Sequence, residues 1–209
     1  NEHCAGVITW MHTFSPSKMW IAGFNALKKP FLHVNTQYNR DIPWQDIDMD
    51  FMNLNQSAHG DREHGYIAAR MRLKQKAVAG YWKDETVQDK IGTWMRAAVG
   101  VMESRKLRVL RISDNMRNVA VTDGDKIEAQ IKLGWQVDHY GVGDIIKLVN
   151  AVTEDEIDAQ MAEYEKNYIM DTDNLDAVRY QAREEVAIKK FLEKEGFGAF
   201  HTNFEDLQE

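Results

Sequence analysis

Hydrophobic and polar positions along the chain alternate between two rhythms. Strand-like apolar runs stand at "AGVITW" (5–10), "FLHVN" (31–35), "AVAGYW" (77–82) and "LRVLRIS" (107–113). The first is continuous, as in a parallel strand covered on both faces. Between the runs the spacing turns helical. Ser15 suits an N-cap and Pro16 a first helical position, with Trp20, Phe24 and Leu27 on one face and Pro30 as the stop. Residues 36–55 read mostly as loop. A helix starts near Ser57, with Tyr66, Ala69 and Leu73 on one side. The best helix is 84–104, striped by Val87, Ile91, Trp94, Met95, Ala98 and Met102.

This strand–helix order is the signature of a doubly wound α/β sheet. After about residue 113 the rhythm changes. "DGDKIEAQIKLG" and "GVGDIIKLVNAV" read as short helices between glycine turns. "TEDEIDAQMAEYEKNY" reads as a capped helix with Ile157, Met161, Tyr164 and Tyr168 inward. Residues 174–195 form another long helix, and "GFGAFH" follows. The expected fold class is therefore α/β: a partial Rossmann-like parallel sheet with flanking helices (1–106), then a second α/β domain rich in helices (107–209).

Composition adds bounds. The chain has 209 residues, 44% hydrophobic and 28% charged, enough for a real core. Net charge is −7, and residues 153–176 alone carry nine acids and one base. That segment reads as a solvated helix face and the loop after it. The rest is close to neutral, so the basic footprint that nucleic acid needs is missing. No apolar run reaches the length of a membrane span. The opening "NEHCAGVITW" has neither a basic lead nor a cleavage site, and a lone cysteine, Cys4, fits a reducing compartment. The expectation is a cytoplasmic protein. Its abrupt ends suggest a piece of a longer one.

In open α/β sheets, ligands bind beyond the carboxyl ends of the strands. The first strand is followed by Met11, His12, Thr13 and Phe14, and the second by Asn35, Thr36, Gln37 and Tyr38. The fourth is followed by Asp114, Asn115, Met116 and Arg117. Amides and hydroxyls beside aromatics and methionine suit a small, uncharged, hydroxyl-rich ligand. No glycine-rich phosphate loop follows any strand, which disfavours nucleotides. His59 and Glu63 share a helix face, a spacing that can hold a metal, but no second pair stands nearby. His64 points elsewhere and is expected to be exposed. His33, inside a strand, reads as a satisfied core histidine. No serine or cysteine nucleophile motif occurs, and Cys4 beside a buried strand reads as inert.

Four long stretches resemble the L-arabinose isomerase family, in its order: "GVITWMHTFSPSKMWI", "HVNTQYNRDIPWQDIDMDFMNLNQSAHGDRE", "DNMRNVAVTDGDKIEAQIKLGW" and "FHTNFEDL". The resemblance runs from about residue 4 to the end and covers the middle of that family's chain. It implies a metal-dependent aldose–ketose isomerase that converts L-arabinose to L-ribulose through an ene-diol, usually with Mn2+. It also implies a homo-oligomer whose subunits meet around the active site. The two glutamates and two histidines that hold the metal would lie beyond Glu209, so no catalytic residue or metal ligand is assigned here, and the 209 residues alone are expected to be inactive. The resemblance assigns substrate binding to Phe14, Met116 and Phe204 as apolar sugar contacts, and to His59 as a histidine reaching a neighbouring subunit's pocket.

Three departures stand out: Ile112-Ser113 where the family commonly has Phe-Gly, Asn118 where Glu is usual, and His64 where Phe is usual. The first adjoins Met116 and bears on sugar preference. Two alternatives stay open, a non-catalytic sugar-binding or assembly module on the same scaffold and an isomerase of a related sugar such as L-fucose or D-galactose.

Overall fold

The computed structural model describes residues 3–14 and 16–207. The chain divides into two compact units, Asn1–Glu103 and Ser104–Glu209. Both are α/β, as expected from the sequence.

The first unit holds β1 (Val7–Trp10), α1 (Ile21–Ala26), β2 (Phe31–Asn35), α2 (Met49–Leu54), α3 (Ser57–Arg70), β3 (Gln75–Ala79) and α4 (Glu85–Ser104). Its three strands are parallel, in the order β1-β2-β3. β2 is central, and its alternate side chains serve two cores. Leu32 and Val34 pack with Val78 and Val87, against Ile91 and Trp94 of α4. Phe31 and His33 point the other way, into a ring cluster. There Phe24 lies 5.4 Å from Phe31, and the His64 ring stacks on His33 at 3.9 Å. Apart from Asn35 at its end, β2 is buried throughout, as a parallel strand between two helical layers requires.

The second unit holds β4 (Arg108–Ile112), α5 (Lys126–Leu133), β5 (Gln136–Tyr140), α6 (Val142–Asn150), α7 (Glu154–Asn167), α8 (Leu175–Glu195) and β6 (Ala199–Thr202). The sheet is parallel, in the order β5-β4-β6. Leu110 and Ile112 face a core built from α6, α7 and α8, including Ile145, Val149, Ile157, Met161 and Ala182. The acidic helix starts at a full capping box: Thr153 accepts from the Glu156 backbone, and Glu156 reaches back to Thr153.

Several sequence expectations need correction. The fourth strand does not extend the first sheet; it is the centre of the second. β1 is not covered on both faces, because it is an edge strand with Ile8 and Trp10 exposed. The third strand spans 75–79 rather than 77–82, because Gly80 adopts φ +141°, which turns the chain out of the sheet. The stretch 36–55 contains α2, started by Asp48, whose carboxylate accepts from Phe51 N at 2.8 Å. Ser15 lies outside the described residues. Pro16 precedes a 3₁₀ turn, Ser17–Trp20, and α1 closes before Pro30, where Leu27 turns extended. Met95 is exposed. Tyr168 is also exposed: α7 stops at Asn167 and the next residue leaves helical geometry.

The largest reversal is on α3. Its inner face is Ser57, Gly60, His64 and Ala68, not the side bearing Tyr66 and Ala69, which are exposed. His64 is 0% exposed, between Phe24, Phe31 and His33. Its Nε2 bonds Gln75 Oε1 at 3.0 Å. Burial is the main influence on this imidazole and pulls its pKa below the ordinary value of 6.5, against the Gln75 hydrogen bond, which raises it. The unfolded chain therefore binds the extra proton first. Stability is full above about pH 6.5 and falls as pH drops through the folded value. In His64→Phe this acid-side loss is reduced, with stability at pH 8 within about 1 kcal/mol of the parent. Urea midpoints measured from pH 8 to 5 check this; equal slopes for both proteins would refute it.

Candidate functional site

The carboxyl edge of the first sheet is concave. Two cavities lie there, of about 720 and 650 Å³. The larger is mainly apolar, walled by Trp10, Val34, Tyr38, Leu54 and Trp82, with His12, Thr13 and Asn53 among its polar groups. The smaller is richer in polar side chains, with Asn35, Asn39, Arg40, Asp61 and Arg62 on its wall and Gly80 and Tyr81 at one side. Thr36, Gln37 and Ser57 line both. The residues that the sequence places after the first two strands thus furnish much of this edge.

Local contacts fix the rim. Asn55 Oδ1 accepts from Asn39 N at 2.8 Å, and its Nδ2 donates to Asn39 Oδ1 at 2.9 Å and to Phe51 O at 3.0 Å. This amide clasp fastens the loop after β2 onto α2, a physical use for the amides crowded into "MNLNQS". Below the rim, Thr9 Oγ1 is bonded to His33 Nδ1 at 2.7 Å, and His33 Nε2 donates to Asp61 Oδ1 at 2.8 Å. His33 is thereby a satisfied core histidine, as its strand position suggests. One histidine ties β1, β2 and α3 together beneath the smaller cavity.

Phe14 and His59 are neighbours through their segments. Thr13 Oγ1 donates to Gln56 Oε1 at 3.3 Å. A Cβ on Gly60 would stand 2.4 Å from Thr13 O and 3.1 Å from Met11 Cβ, so glycine lets the loop after β1 lie directly on α3. Phe14 is 58% exposed on that loop, and His59 is exposed on the first turn of α3. Neither lines the two cavities; they stand outside those walls.

Met116 and Phe204 are brought together in the second unit. Asn203 Nδ2 donates to Asn115 O at 3.3 Å, and Arg117 N donates to Glu205 Oε2 at 2.8 Å. Met116 N donates to Thr122 Oγ1 at 3.1 Å, which folds the loop back on itself. Met116 is half-buried, while Phe204 is 70% exposed. Asp206 accepts from the Ser113 hydroxyl and from Arg117 Nη1, at 3.2 Å in the latter case. The Ser113 hydrogen bond, with help from the Arg117 charge, holds this carboxyl below the usual range. Two departures from the family pattern gain a meaning. Ser113 and Asn118 both have positive φ, +67° and +61°. Asparagine tolerates that region, while serine there is strained by about 1–2 kcal/mol, offset in part by its bond to Asp206. Ile112 points into the core and has no side chain to offer the loop.

Among the described residues no three His, Cys, Asp or Glu side chains gather into a group able to hold a metal, His59 and Glu63 included. No helix among them is long and apolar enough to cross a membrane. The sequence reading missed Ser57, Asp61 and Trp82 on the cavity walls. Ser57 had a signal in the small-residue spacing of the α3 inner face, and Asp61 only in standing one turn after it; Trp82 had none beyond its place after a strand.

The fold and this edge define a class: a two-unit α/β protein whose parallel sheet ends in a depression that is polar on one side and aromatic on the other. Comparison with known proteins gives the family. Residues 1–106 match the L-arabinose isomerase N-terminal domain, and residues 108–209 match the L-arabinose isomerase central domain. The chain belongs to the L-arabinose isomerase family. It is 57% identical over 208 residues to an L-arabinose isomerase of Shouchella clausii, covering 99% of this chain and 43% of that relative. It is 58% identical over 208 residues to one of Clostridium beijerinckii (99% and 42%), and 53% identical over 213 residues to one of Bacillus subtilis (99% and 43%). The chain thus spans under half the length of the relatives it matches.

Proposed function

We propose that these residues are part of a cytoplasmic aldose–ketose isomerase that converts L-arabinose to L-ribulose through an ene-diol. Residues 1–106 would be the latter part of an N-terminal Rossmann-like domain, and 107–209 most of a central domain. The observation that carries this reading is the family match over both units. It is supported by the placing of Phe14 and Met116 on loops directly after the strands β1 and β4.

In this reading Phe14, Met116 and Phe204 cover the carbon backbone of the sugar and keep water from it. His59, exposed at the start of α3, offers a hydrogen bond to a hydroxyl across a subunit interface of a homo-oligomer. A divalent ion, Mn2+, would polarise the carbonyl and hydroxyl oxygens and so acidify the carbon-bound proton. The described residues do not suit it, so its ligands would come from elsewhere in the full-length polypeptide, and no chemical step is assigned to residues 1–209.

The test is made in the full-length polypeptide. Phe14→Ala and Met116→Ala are each expected to raise KM for L-arabinose roughly tenfold, the loss of about 1–2 kcal/mol of apolar contact. His59→Ala is expected to raise KM less. Unchanged KM and kcat in the first two would remove both side chains from the sugar site and sink the proposal.

A further inference from the structure

Eight buried side-chain polar atoms have no hydrogen-bond partner among the described residues, and three of them belong to residues at one sheet edge: Asn35 Oδ1, Thr36 Oγ1 and Ser57 Oγ. All three belong to residues lining the smaller cavity, and Thr36 and Ser57 also line the larger one. Ser57 is 2% exposed. A buried polar group left unpaired is costly, and most are paired in native proteins. Three at one sheet edge form a set: an amide oxygen that must accept, and two hydroxyls that can both accept and donate. Asp61, on the same wall, is held by His33. The set comes from two elements, β2 with the loop that follows it and the first turn of α3, which the Thr9–His33–Asp61 chain locks together.

We infer that Asn35, Thr36 and Ser57 are specificity-determining residues that recognise sugar hydroxyls from the polar side of the depression. The inference rests on the isomerase reading above and deepens it. Vicinal hydroxyls are donors and acceptors at close spacing, which matches one obligate acceptor beside two hydroxyls. An uncharged polyol also avoids placing a charge between Arg40, Arg62 and Asp61. Neither Phe14 nor His59 reaches these walls, so the three residues act on a different part of the ligand.

Thr36→Val and Ser57→Ala in the full-length polypeptide separate a binding role from a structural one. Removing an unpaired buried polar atom leaves Tm equal or higher. Removing a sugar contact raises KM for L-arabinose roughly threefold to tenfold. Both changes together, with Thr36→Ser close to the parent and a weakened preference for L-arabinose over its deoxy analogues, are the expected result. Should Thr36→Val fold poorly, Thr36→Ser and Ser57→Ala carry the comparison. Unchanged KM in Thr36→Val and Ser57→Ala, while Phe14→Ala raises it, overturns this inference and leaves the isomerase reading standing. Unchanged KM in all of them, Phe14→Ala and Met116→Ala included, overturns both.

Discussion

Asp61→Ala is expected to lose about 3 kcal/mol of stability. His33 is 2% exposed, and its Nε2–H has one acceptor, Asp61 Oδ1 at 2.8 Å. The rest of the ring is enclosed by protein. His64 stacks on one face of it, and Thr9 holds the other nitrogen. Truncation therefore strands a buried donor, a larger penalty than the net gain of an ordinary hydrogen bond. Asp61→Asn keeps an oxygen at the same place and loses about 1 kcal/mol. At a slope of about 2 kcal/mol per molar, the alanine variant unfolds about 1.5 M earlier in urea. The bond also joins α3 to the sheet two residues after His59, so hydrogen exchange should quicken in the first turns of α3. An alanine variant with the parent's urea midpoint would show that the bond contributes nothing.

How much of this was legible beforehand depends on what held each element together. The central strand 31–35, the helix 84–104 and the capped helix after Thr153 were readable because their signals are local: apolar runs, a 3.6-residue stripe and a capping box. β5 was missed because "QVDHY" has no apolar run; it is a strand because its backbone pairs with β4 in register, Gln136 opposite Arg108 through Tyr140 opposite Ile112. The inner face of α3 was misread for a related reason. Tyr66 and Leu73 supply the apolar signal, but the buried positions are Ser57, Gly60, His64 and Ala68, with the loop after β1 lying directly on Gly60. Small residues leave no mark on a hydrophobic pattern, so the pattern gives no sign that the one histidine among them is buried.

The walls of the two cavities were legible in part. Reading the residues after each strand found Thr13, Asn35, Thr36, Gln37 and Tyr38, because topology alone places a ligand at the carboxyl edge. The opposite walls come from α2, α3 and the turn after β3, whose approach depends on folding at long range. Ser113 teaches the same lesson from the other side. Its departure from glycine looked like a change in pocket shape. The structure makes it a change in backbone strain, with the hydroxyl tied to Asp206.

Gly60→Ala is expected to lower kcat/KM of the full-length polypeptide roughly a hundredfold, the scale of a misplacement of about 1 Å at a site built for close fit. Alanine favours a helix interior over glycine by about 1 kcal/mol, so propensity alone predicts a gain. Packing opposes it. The new methyl would stand 2.4 Å from Thr13 O and 3.3 Å from Met11 Cγ. A carbonyl oxygen cannot rotate away as a flexible side chain does, so the loop or the helix must move. The segment pushed is 11–14, which carries Phe14 and forms part of the larger cavity's wall through His12 and Thr13. The bond from Thr13 to Gln56 would be stretched with it. Overpacking of this kind costs about 1–3 kcal/mol, which exceeds or cancels the helical gain. Gly65 on the same helix meets nothing within 4 Å when given a Cβ, so Gly65→Ala is the matched control. It should keep the parent's kinetics and match or raise its Tm. Equal activity in the two alanine variants would mean that the approach of loop 11–14 to α3 does not matter to the site.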